Sequence, residues 1–203
     1  MPVRQKMKRT QGININEPHG RDLFQTPNYA TDLLVPFIPK DIRDIWECAA
    51  GDRKIADRLE FFGYRVLATD IRLIDDDGNV KEGITPTNFL THSMRTDIYR
   101  KPHAIITNPP FSLKKQFYDK CVEYKIPFAL LIPTDYCGWI IEAIQMGAEK
   151  IIPTRRIDYI TPSGLSGANG HSANFHSMWL TKGFGLNKTE TFVELTAKMK
   201  ENI

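Results

Sequence analysis

The chain has 203 residues, a formal net charge of +3, 41% apolar residues and 25% charged residues. This length predicts one domain with one sizeable core, and the composition is that of an ordinary soluble globular protein. No segment approaches the roughly 18 to 20 consecutive apolar residues of a membrane span, and the N-terminus lacks a hydrophobic signal region. We therefore expect a protein of the cytoplasm that binds no membrane, and the weak positive charge slightly favours an anionic partner.

Residues 1 to 20 contain Arg4, Lys6, Lys8 and Arg9 and few apolar side chains. This pattern predicts a basic, flexible N-terminal arm. Residues 21 to 203 are predicted to form a single domain. That domain begins with a helix in the segment TPNYATDLLVPFIP, where a proline near the start precedes apolar residues at helical spacing.

Strands and helices then alternate along the chain. Strands are predicted in the segments DIWECAA, YRVLATDI, HAIITNPP, PFALLIP, AEKIIPTRRIDYI and NFHSMWLTKG, and helices in DRKIADRLEFFG, SLKKQFYDKCVEYK and CGWIIEAIQMG. Short apolar strands that alternate with helices indicate an α/β fold, with a doubly wound, mostly parallel sheet covered on both faces. Two polar segments, residues 72 to 96 and 161 to 174, interrupt this alternation and are predicted to be loops.

The chain shows no pattern typical of metal ligands. Its three cysteines are scattered, which predicts reduced thiols rather than a metal site. The run DDDGN, at residues 75 to 79, lacks the flanking helices and the distal glutamate of a calcium loop. We therefore expect no metal.

The carboxyl ends of the first two predicted strands favour a nucleotide site. Ala49, Ala50 and Gly51 are small enough to let the backbone pass close to a ligand. Asp70 follows the second strand, where a carboxylate can accept hydrogen bonds from ribose hydroxyls. The chain lacks the Gly-Lys-Ser/Thr sequence of a P-loop, and Arg53 stands where a dinucleotide fingerprint has a second glycine. These residues favour a cofactor with a nucleoside and no pyrophosphate, although purely structural strand ends also carry glycine and aspartate.

The segment IITNPPF places Asn108 at the end of a predicted buried strand, followed by two prolines and Phe111. Proline fixes φ, lacks an N–H group and pushes the preceding residue into extended geometry. The Asn108 side-chain oxygen and the Pro109 carbonyl oxygen are then two acceptors at a fixed spacing, which suits an amino group with two N–H bonds. Phe111 offers a flat face for stacking a base. The same turn also occurs in purely structural loops.

Such an arrangement suits methyl transfer to a planar amine. The lone pair of the adenine exocyclic amine is delocalised into the ring. Hydrogen bonds from both N–H groups to fixed acceptors would draw electron density back onto the nitrogen. Because transfer from a sulfonium releases a neutral thioether, positioning matters more than a strong base.

With these motifs, the chain from about Phe24 to Gly183 resembles the S-adenosylmethionine-dependent amino-methyltransferases, in particular the phage-type N6-adenine DNA methyltransferases. The resemblance implies a Rossmann-like methyltransferase fold with a mostly parallel seven-stranded sheet and no separate target-recognition domain. NPPF is its most specific motif and implies the catalytic residues Asn108, Pro109, Pro110 and Phe111. The segments FQTPNY, ECAAGD, ATDI and TDIY imply the cofactor-binding residues Thr26, Pro27, Glu47, Ala49, Gly51, Asp70, Ile71 and Asp97.

The chain departs from this family's pattern in the cofactor loop. Arg53 replaces a glycine and Cys48 replaces a common proline, which puts the conformation of the loop and its affinity for the cofactor in question. Asn88 is an alternative to Asp97 as the partner of the cofactor's adenine amine, because the long polar connection leaves the alignment open there.

Nucleic acid is the expected partner, and DNA is favoured over RNA. The candidates for substrate contacts are Lys114, Arg155, Arg156 and His171. Each basic residue taken alone is better explained as part of a solvated surface. The glycine-rich segment GLSGANGHSANFH is a candidate for closing over a flipped base.

Three hypotheses follow from these patterns. The first is an enzyme that methylates the N6 amine of adenine in DNA with S-adenosylmethionine. The second keeps the chemistry and changes the acceptor to an RNA adenine, a guanine amine or a protein glutamine amide. The third is a catalytically degenerate nucleic-acid-binding module that no longer holds the cofactor.

Overall fold

The computed structural model describes residue 22 and residues 24 to 72, 81 to 93, 101 to 160 and 175 to 201. These residues form a sheet of eight strands in the order β3-β2-β1-β4-β5-β7-β6-β8. The strands are Asp44–Glu47 (β1), Arg65–Asp70 (β2), Thr85–Pro86 (β3), Ala104–Thr107 (β4), Phe128–Pro133 (β5), Ala148–Pro153 (β6), Ser177–Lys182 (β7) and Glu190–Val193 (β8). β7 runs antiparallel to β5 and β6, and the other pairs are parallel.

Helices connect the parallel strands of the described part. They are Asn28–Asp32 (α1), Lys54–Phe61 (α2), Lys114–Tyr124 (α3) and Gly138–Gln145 (α4), with short 3₁₀ turns at Val35–Phe37, Phe111–Leu113 and Lys198–Glu201. α3 buries Phe117, Tyr118 and Cys121, one face of an amphipathic helix. The predicted positions of these helices are confirmed, and so is the doubly wound α/β fold. The predicted basic arm lies outside the described residues.

Both faces of the sheet are covered, because successive side chains of a strand point to opposite sides. In β1, Ile45 joins the core cluster that contains Leu59 of α2, whereas Trp46 joins the cluster that contains Phe117 of α3 and Ile140 of α4. Burial on both sides explains why the central strands are continuous apolar runs in the sequence.

The sheet has one strand more than the seven that were expected. β8 adds to the edge of the sheet, in parallel with β6. Its Glu190 carboxylate forms an ion pair with the ammonium of Lys150, a buried residue of β6. β8 is short and only partly buried, so its sequence lacks the apolar run by which the central strands are recognised. β3 was also missed, because its two residues are exposed and lie in the segment 72 to 96, for which the prediction of a loop was wrong at this point.

The strand predicted through Ile160 ends earlier, at Pro153, and that prediction was wrong beyond this residue. The chain leaves the sheet after Pro153, and Ile160 instead forms an isolated antiparallel bridge with Gln25. The sequence pattern is misleading because Ile157 and Tyr159 are buried, as strand residues would be, but outside the sheet. Among the helices of the described ranges, none is long and apolar enough to cross a bilayer.

Candidate functional site

The carboxyl ends of β1, β2 and β4 surround a cavity of about 320 Å³, a size within the ~300–1,000 Å³ typical of small-molecule sites. Parallel strands bring their carboxyl ends to one edge of a sheet, which is where ligands bind in doubly wound folds. The predicted residues that line this cavity are Thr26, Glu47, Ala49, Gly51, Asp70, Ile71, Asn108 and Pro110. The structure therefore brings the predicted cofactor motifs and the Asn-Pro-Pro turn to one place.

The loop after β1 and the end of β2 are joined through Asp70. One carboxylate oxygen of this buried residue accepts a hydrogen bond from the Gly51 N–H group (2.8 Å), and the other accepts one from the Arg72 N–H group (2.7 Å). Gly51 has φ +55°, and a Cβ atom there would lie 2.7 Å from Oε1 of Gln25. The left-handed φ and the nearby Gln25 amide both favour a residue without a side chain at this turn.

Arg53, which stands where the methyltransferases that the sequence resembles have a glycine, has the left-handed φ of +61° that a glycine would adopt readily. Its side chain points along α2 and donates hydrogen bonds to Asp57 (2.8 Å) and Glu60 (2.9 Å). It also bonds the Gly83 carbonyl oxygen. Arg53 contributes nothing to the cavity wall, so the loop keeps the turn that a glycine would make and sends the larger side chain away from the ligand space.

We expect Arg53→Gly to leave the affinity for a nucleoside cofactor unchanged. Its free energy of unfolding should change by no more than about 1 kcal/mol, because relief of the left-handed strain offsets the loss of partly exposed ion pairs. Isothermal calorimetry with S-adenosylmethionine and urea unfolding would measure the two quantities. A large gain in affinity would instead mean that the guanidinium obstructs the ligand.

Glu47 is the most deeply buried carboxyl group of the cavity wall, with 1% of its surface exposed. Burial raises its pKa well above the ordinary value of 4.5, against the opposing effects of the Ala56 N–H group and the Arg53 guanidinium. Its Oε2 atom has no hydrogen-bond partner among the described residues. A buried acceptor without a donor is costly, so a ligand with a donor, and above all a cationic one, is suited to this position.

The Asn-Pro-Pro turn follows β4 directly. The Oδ1 atom of Asn108 is buried and has no hydrogen-bond partner within the described part of the chain, although Asn108 lines the cavity. Pro109 is buried beside it and Pro110 forms part of the wall. The turn therefore carries an unused side-chain acceptor in a residue that lines the cavity.

Phe111 packs into an aromatic cluster beside the cavity instead of forming part of its wall. Its ring contacts Tyr159 edge-on with a centroid distance of 5.8 Å, and Phe175 in the same way at 5.3 Å. Phe24 stacks on Tyr159 from the other side at 5.9 Å. The sequence pattern does not reveal this cluster, because its members are far apart in the chain.

The remaining cofactor candidates have different positions. Ile71 lines the cavity with 54% of its surface exposed, which is unusual for a large apolar residue and suits stacking against a ligand ring. Pro27 is buried at the start of α1 and not in the wall. Asn88, the alternative to Asp97, does line the cavity. Asp97 lies outside the described residues and stays a prediction.

Of the candidates for substrate contacts, Lys114 forms an ion pair with Asp135 after β5. Arg155 and Arg156 are exposed beyond the end of β6, and none of these three lines the cavity. His171 lies outside the described residues. Within the described ranges, no group of three or more potential ligands is placed to hold a metal ion.

The sequence interpretation missed several residues of the cavity wall, among them Asp22, Gln25, Lys54, Arg72 and Ser112. Asp22 precedes the recognised motif FQTPNY and Gln25 lies within it, and nothing in the local sequence shows that either residue borders the cavity. Lys54 begins α2 next to the glycine turn, so its position could have been inferred from the strand-turn-helix pattern alone.

No protein-family model matches the chain, and no curated protein matches its sequence. Among solved structures, the fold is similar to the methyltransferase subunit of the type I restriction-modification system from Streptococcus thermophilus, with a TM-score of 0.60, 9% identity, and coverage of 91% of this chain and 52% of that one. It is also similar to a candidate RNA methyltransferase from Pyrococcus horikoshii, with a TM-score of 0.52, 12% identity, and coverage of 78% and 85%. The chain thus spans about half the length of the Streptococcus subunit. These similarities show that the chain has the Rossmann-like methyltransferase fold.

Proposed function

We propose that this protein transfers a methyl group from S-adenosylmethionine to the exocyclic N6 amine of adenine in DNA. The observation that carries the proposal is the buried, unpartnered Oδ1 atom of Asn108, a residue that lines a nucleoside-sized cavity. An acceptor left without a donor destabilises the free protein. Such a group is retained where a substrate donor completes it, and an amino group is a donor of the right kind.

The cofactor would occupy the cavity between the two carboxylates. Asp70 is held by two backbone N–H groups and retains lone pairs for the ribose hydroxyls. Ile71 offers an exposed apolar surface to the adenine ring, and Glu47 offers an unpaired oxygen to the methionine ammonium. When bound, S-adenosylmethionine supplies a methyl group on a sulfonium, whose departure leaves a neutral thioether.

The Asn-Pro-Pro turn would then hold the acceptor. Asn108 Oδ1 takes one N–H of the target amine and the Pro109 carbonyl oxygen takes the other. Because proline fixes the backbone on both sides of that carbonyl, the two acceptors keep their spacing. Both hydrogen bonds would raise the electron density on the nitrogen and orient it toward the methyl carbon. As the N–C bond forms and the C–S bond breaks, the amine nitrogen would lose one proton to solvent.

Glu47 makes the proposed cofactor binding detectable, because its carboxyl group is expected to change its protonation when the cofactor binds. In the free protein burial raises the pKa of its carboxyl group, whereas a bound ammonium favours the carboxylate. Cofactor binding is therefore expected to release a proton at pH values below the free-state pKa and above the lowered bound-state pKa. In that window the affinity should rise with pH.

Glu47→Gln is expected to abolish this proton release and to weaken cofactor binding. It should also remove a pH-dependent loss of stability from the free protein. A carboxyl group whose pKa is raised by folding stabilises the protein at pH values below about 4.5, and this stabilisation is lost as the pH rises through the folded-state pKa. Calorimetry in two buffers of different ionisation enthalpy counts the protons. Glu194→Gln, at an exposed position, is the control, and proton release that persists in Glu47→Gln would contradict the assignment.

DNA is proposed over RNA as the polymer because the fold neighbour with the TM-score of 0.60 is a restriction-modification methyltransferase subunit. Arg155 and Arg156, exposed beyond the end of β6, would neutralise phosphates beside the cavity. RNA adenine, a guanine amine and a protein glutamine amide remain as outcomes of the test, since Asn-Pro-Pro with an aromatic residue suits each of these acceptors.

The test is incubation with a tritiated methyl donor and separate pools of duplex DNA, single-stranded DNA, transfer RNA and protein. Nucleoside analysis of the labelled product should yield N6-methyladenine from DNA. Label found in RNA, in guanine or in glutamine would mean that the substrate is a different one and that the methyl-transfer reaction is the one proposed. If calorimetry detects no cofactor binding at millimolar concentration, the protein is a degenerate binding module and not an enzyme.

A further inference from the structure

The Asn-Pro-Pro turn lacks two of the backbone N–H groups that usually anchor a turn to neighbouring elements. Pro109 and Pro110 have no N–H groups, so two successive residues donate no hydrogen bond. The turn then runs directly into the 3₁₀ turn Phe111–Leu113 and α3. The first N–H groups of a helix have no partners within it, and no side chain of the N-cap residue Pro110 can supply one.

Asp22 supplies these missing hydrogen bonds from the other end of the domain. Its Oδ1 atom accepts a hydrogen bond from the Ser112 N–H group (3.2 Å), and its Oδ2 atom accepts one from the Ser112 hydroxyl (2.6 Å). The two residues are 90 positions apart in the sequence. A carboxylate here does what an N-cap side chain does, and its charge also suits the positive end of a helix.

The segment that carries Asp22 also borders the cofactor space. Gln25 exchanges two backbone hydrogen bonds with Ile160 (2.8 and 3.0 Å), and its side-chain oxygen accepts one from the Asp52 N–H group (3.1 Å). Asp22, Gln25 and Ser112 all line the cavity. One short segment therefore touches both the turn that holds the target amine and the loop that holds the cofactor.

We propose that Asp22 is a positioning residue for the methyl transfer, and that it acts by clamping Ser112 and thereby orienting Asn108. This inference rests on the proposed function. The prolines fix the local backbone of the turn but donate no hydrogen bond to neighbouring elements, and the two hydrogen bonds between Ser112 and Asp22 anchor the turn instead. Loss of the clamp leaves the acceptors present but freer to move, which lowers the fraction of bound amines aligned with the methyl group.

The test is a double-mutant cycle with Asp22→Ala and Ser112→Ala. Each variant is expected to lower kcat by about 10-fold, the size of one charge-assisted hydrogen bond in a unit that acts together. Ser112→Ala removes only the hydroxyl donor and keeps the N–H donor, whereas Asp22→Ala removes the acceptor of both. Their combination should therefore lower kcat no further than Asp22→Ala alone, and KM for the nucleic acid should change less than kcat. Ser112→Thr keeps both donors and should restore most of the activity. Additive losses, or an unchanged kcat in both single variants, would overturn the proposal.

Asp32→Ala is the matched control. It removes a part-buried carboxylate that accepts two hydrogen bonds from Arg58 (2.6 and 2.8 Å) and does not line the cavity. It should lower stability with little change in kcat.

A second measurement does not depend on activity. Amide hydrogen exchange at Ser112 and Leu113 should become faster in Asp22→Ala than in the parent protein, and unchanged exchange would refute the clamp. If the parent protein transfers no methyl group, the proposed function fails, whereas the exchange rates still decide whether Asp22 holds the turn.

Discussion

Asn108→Ala is expected to lower kcat for methyl transfer by about 10²- to 10³-fold, which is the cost of removing one pre-positioned polar group from an active site. The affinity for S-adenosylmethionine should stay nearly unchanged, because Asn108 Oδ1 is proposed to bind the target amine and not the cofactor. Single-turnover kinetics with labelled donor would measure the first quantity, and calorimetry the second.

The same substitution is expected to leave the stability of the protein unchanged or to raise it, which is unusual for a buried residue. Most truncations of buried residues are destabilising, but Asn108 Oδ1 is a buried acceptor without a partner among the described residues. Its removal relieves a desolvation cost, so the free energy of unfolding should stay the same or rise by about 1 kcal/mol. Activity would then be lost in a protein at least as stable as its parent, which separates a chemical role from a structural one.

Thr31→Val is the matched control for Asn108→Ala. The Thr31 hydroxyl is another buried oxygen that lacks a partner in the described ranges, and it lies in α1 away from the cavity wall. Its replacement should stabilise the protein in the same way and leave methyl transfer intact. If Asn108→Ala weakened cofactor binding as much as catalysis, Asn108 would be a residue that shapes the pocket.

In contrast to Asn108→Ala, Asp70→Ala is expected to have its largest effect on cofactor affinity. The dissociation constant should rise by about 10- to 100-fold, because hydrogen bonds to a charged group contribute roughly 1.5–3 kcal/mol. The Gly51 and Arg72 N–H groups would lose their acceptor as well, so the free energy of unfolding should fall by about 1–3 kcal/mol. Calorimetry and urea unfolding would measure both.

A ligand series separates the contact with ribose from the ordering of the loop. The parent protein should bind a 2′,3′-dideoxy analogue of S-adenosylhomocysteine more weakly than the natural nucleoside, whereas Asp70→Ala should bind the two equally. Asp44→Ala is the control, because Asp44 is also a buried carboxylate with two hydrogen bonds, to Arg65 (2.6 and 2.8 Å), but lies at the amino end of β1. Equal discrimination in parent and Asp70→Ala would refute the ribose assignment.

The location of the site was predictable because it depends on local pattern. Apolar strands that alternate with helices imply a parallel sheet, and a parallel sheet gathers its strand ends at one edge. Gly51 lies in the turn after β1, Asp70 is the last residue of β2 and Asn108 directly follows β4, so their convergence in one cavity follows from the order of elements along the chain.

Other features depend on partners that are distant in the sequence. The edge strand β8 is too short and too polar to be recognised by itself, and it exists because β6 offers it a hydrogen-bonding edge and Lys150 an ion-pair partner. In contrast, Ile157 and Tyr159 have the alternation of a strand and lie outside the sheet. Strand propensity depends on context in this way because it reflects packing against neighbours.

By itself, the sequence determined the α/β class and the edge of the sheet that carries the cavity, and it predicted the acceptor role of Asn-Pro-Pro, since all three depend on residue type and short-range order. Tertiary structure alone decided that Asn108 Oδ1 and Glu47 Oε2 are buried without partners among the described residues. It also decided that the Arg53 side chain leaves the cavity and that Asp22 reaches Ser112. These features depend on which groups, distant in the sequence, come into contact in the folded chain. Hydrogen bonding and desolvation depend on both contacting groups and their surroundings, so neither can be inferred from one residue alone.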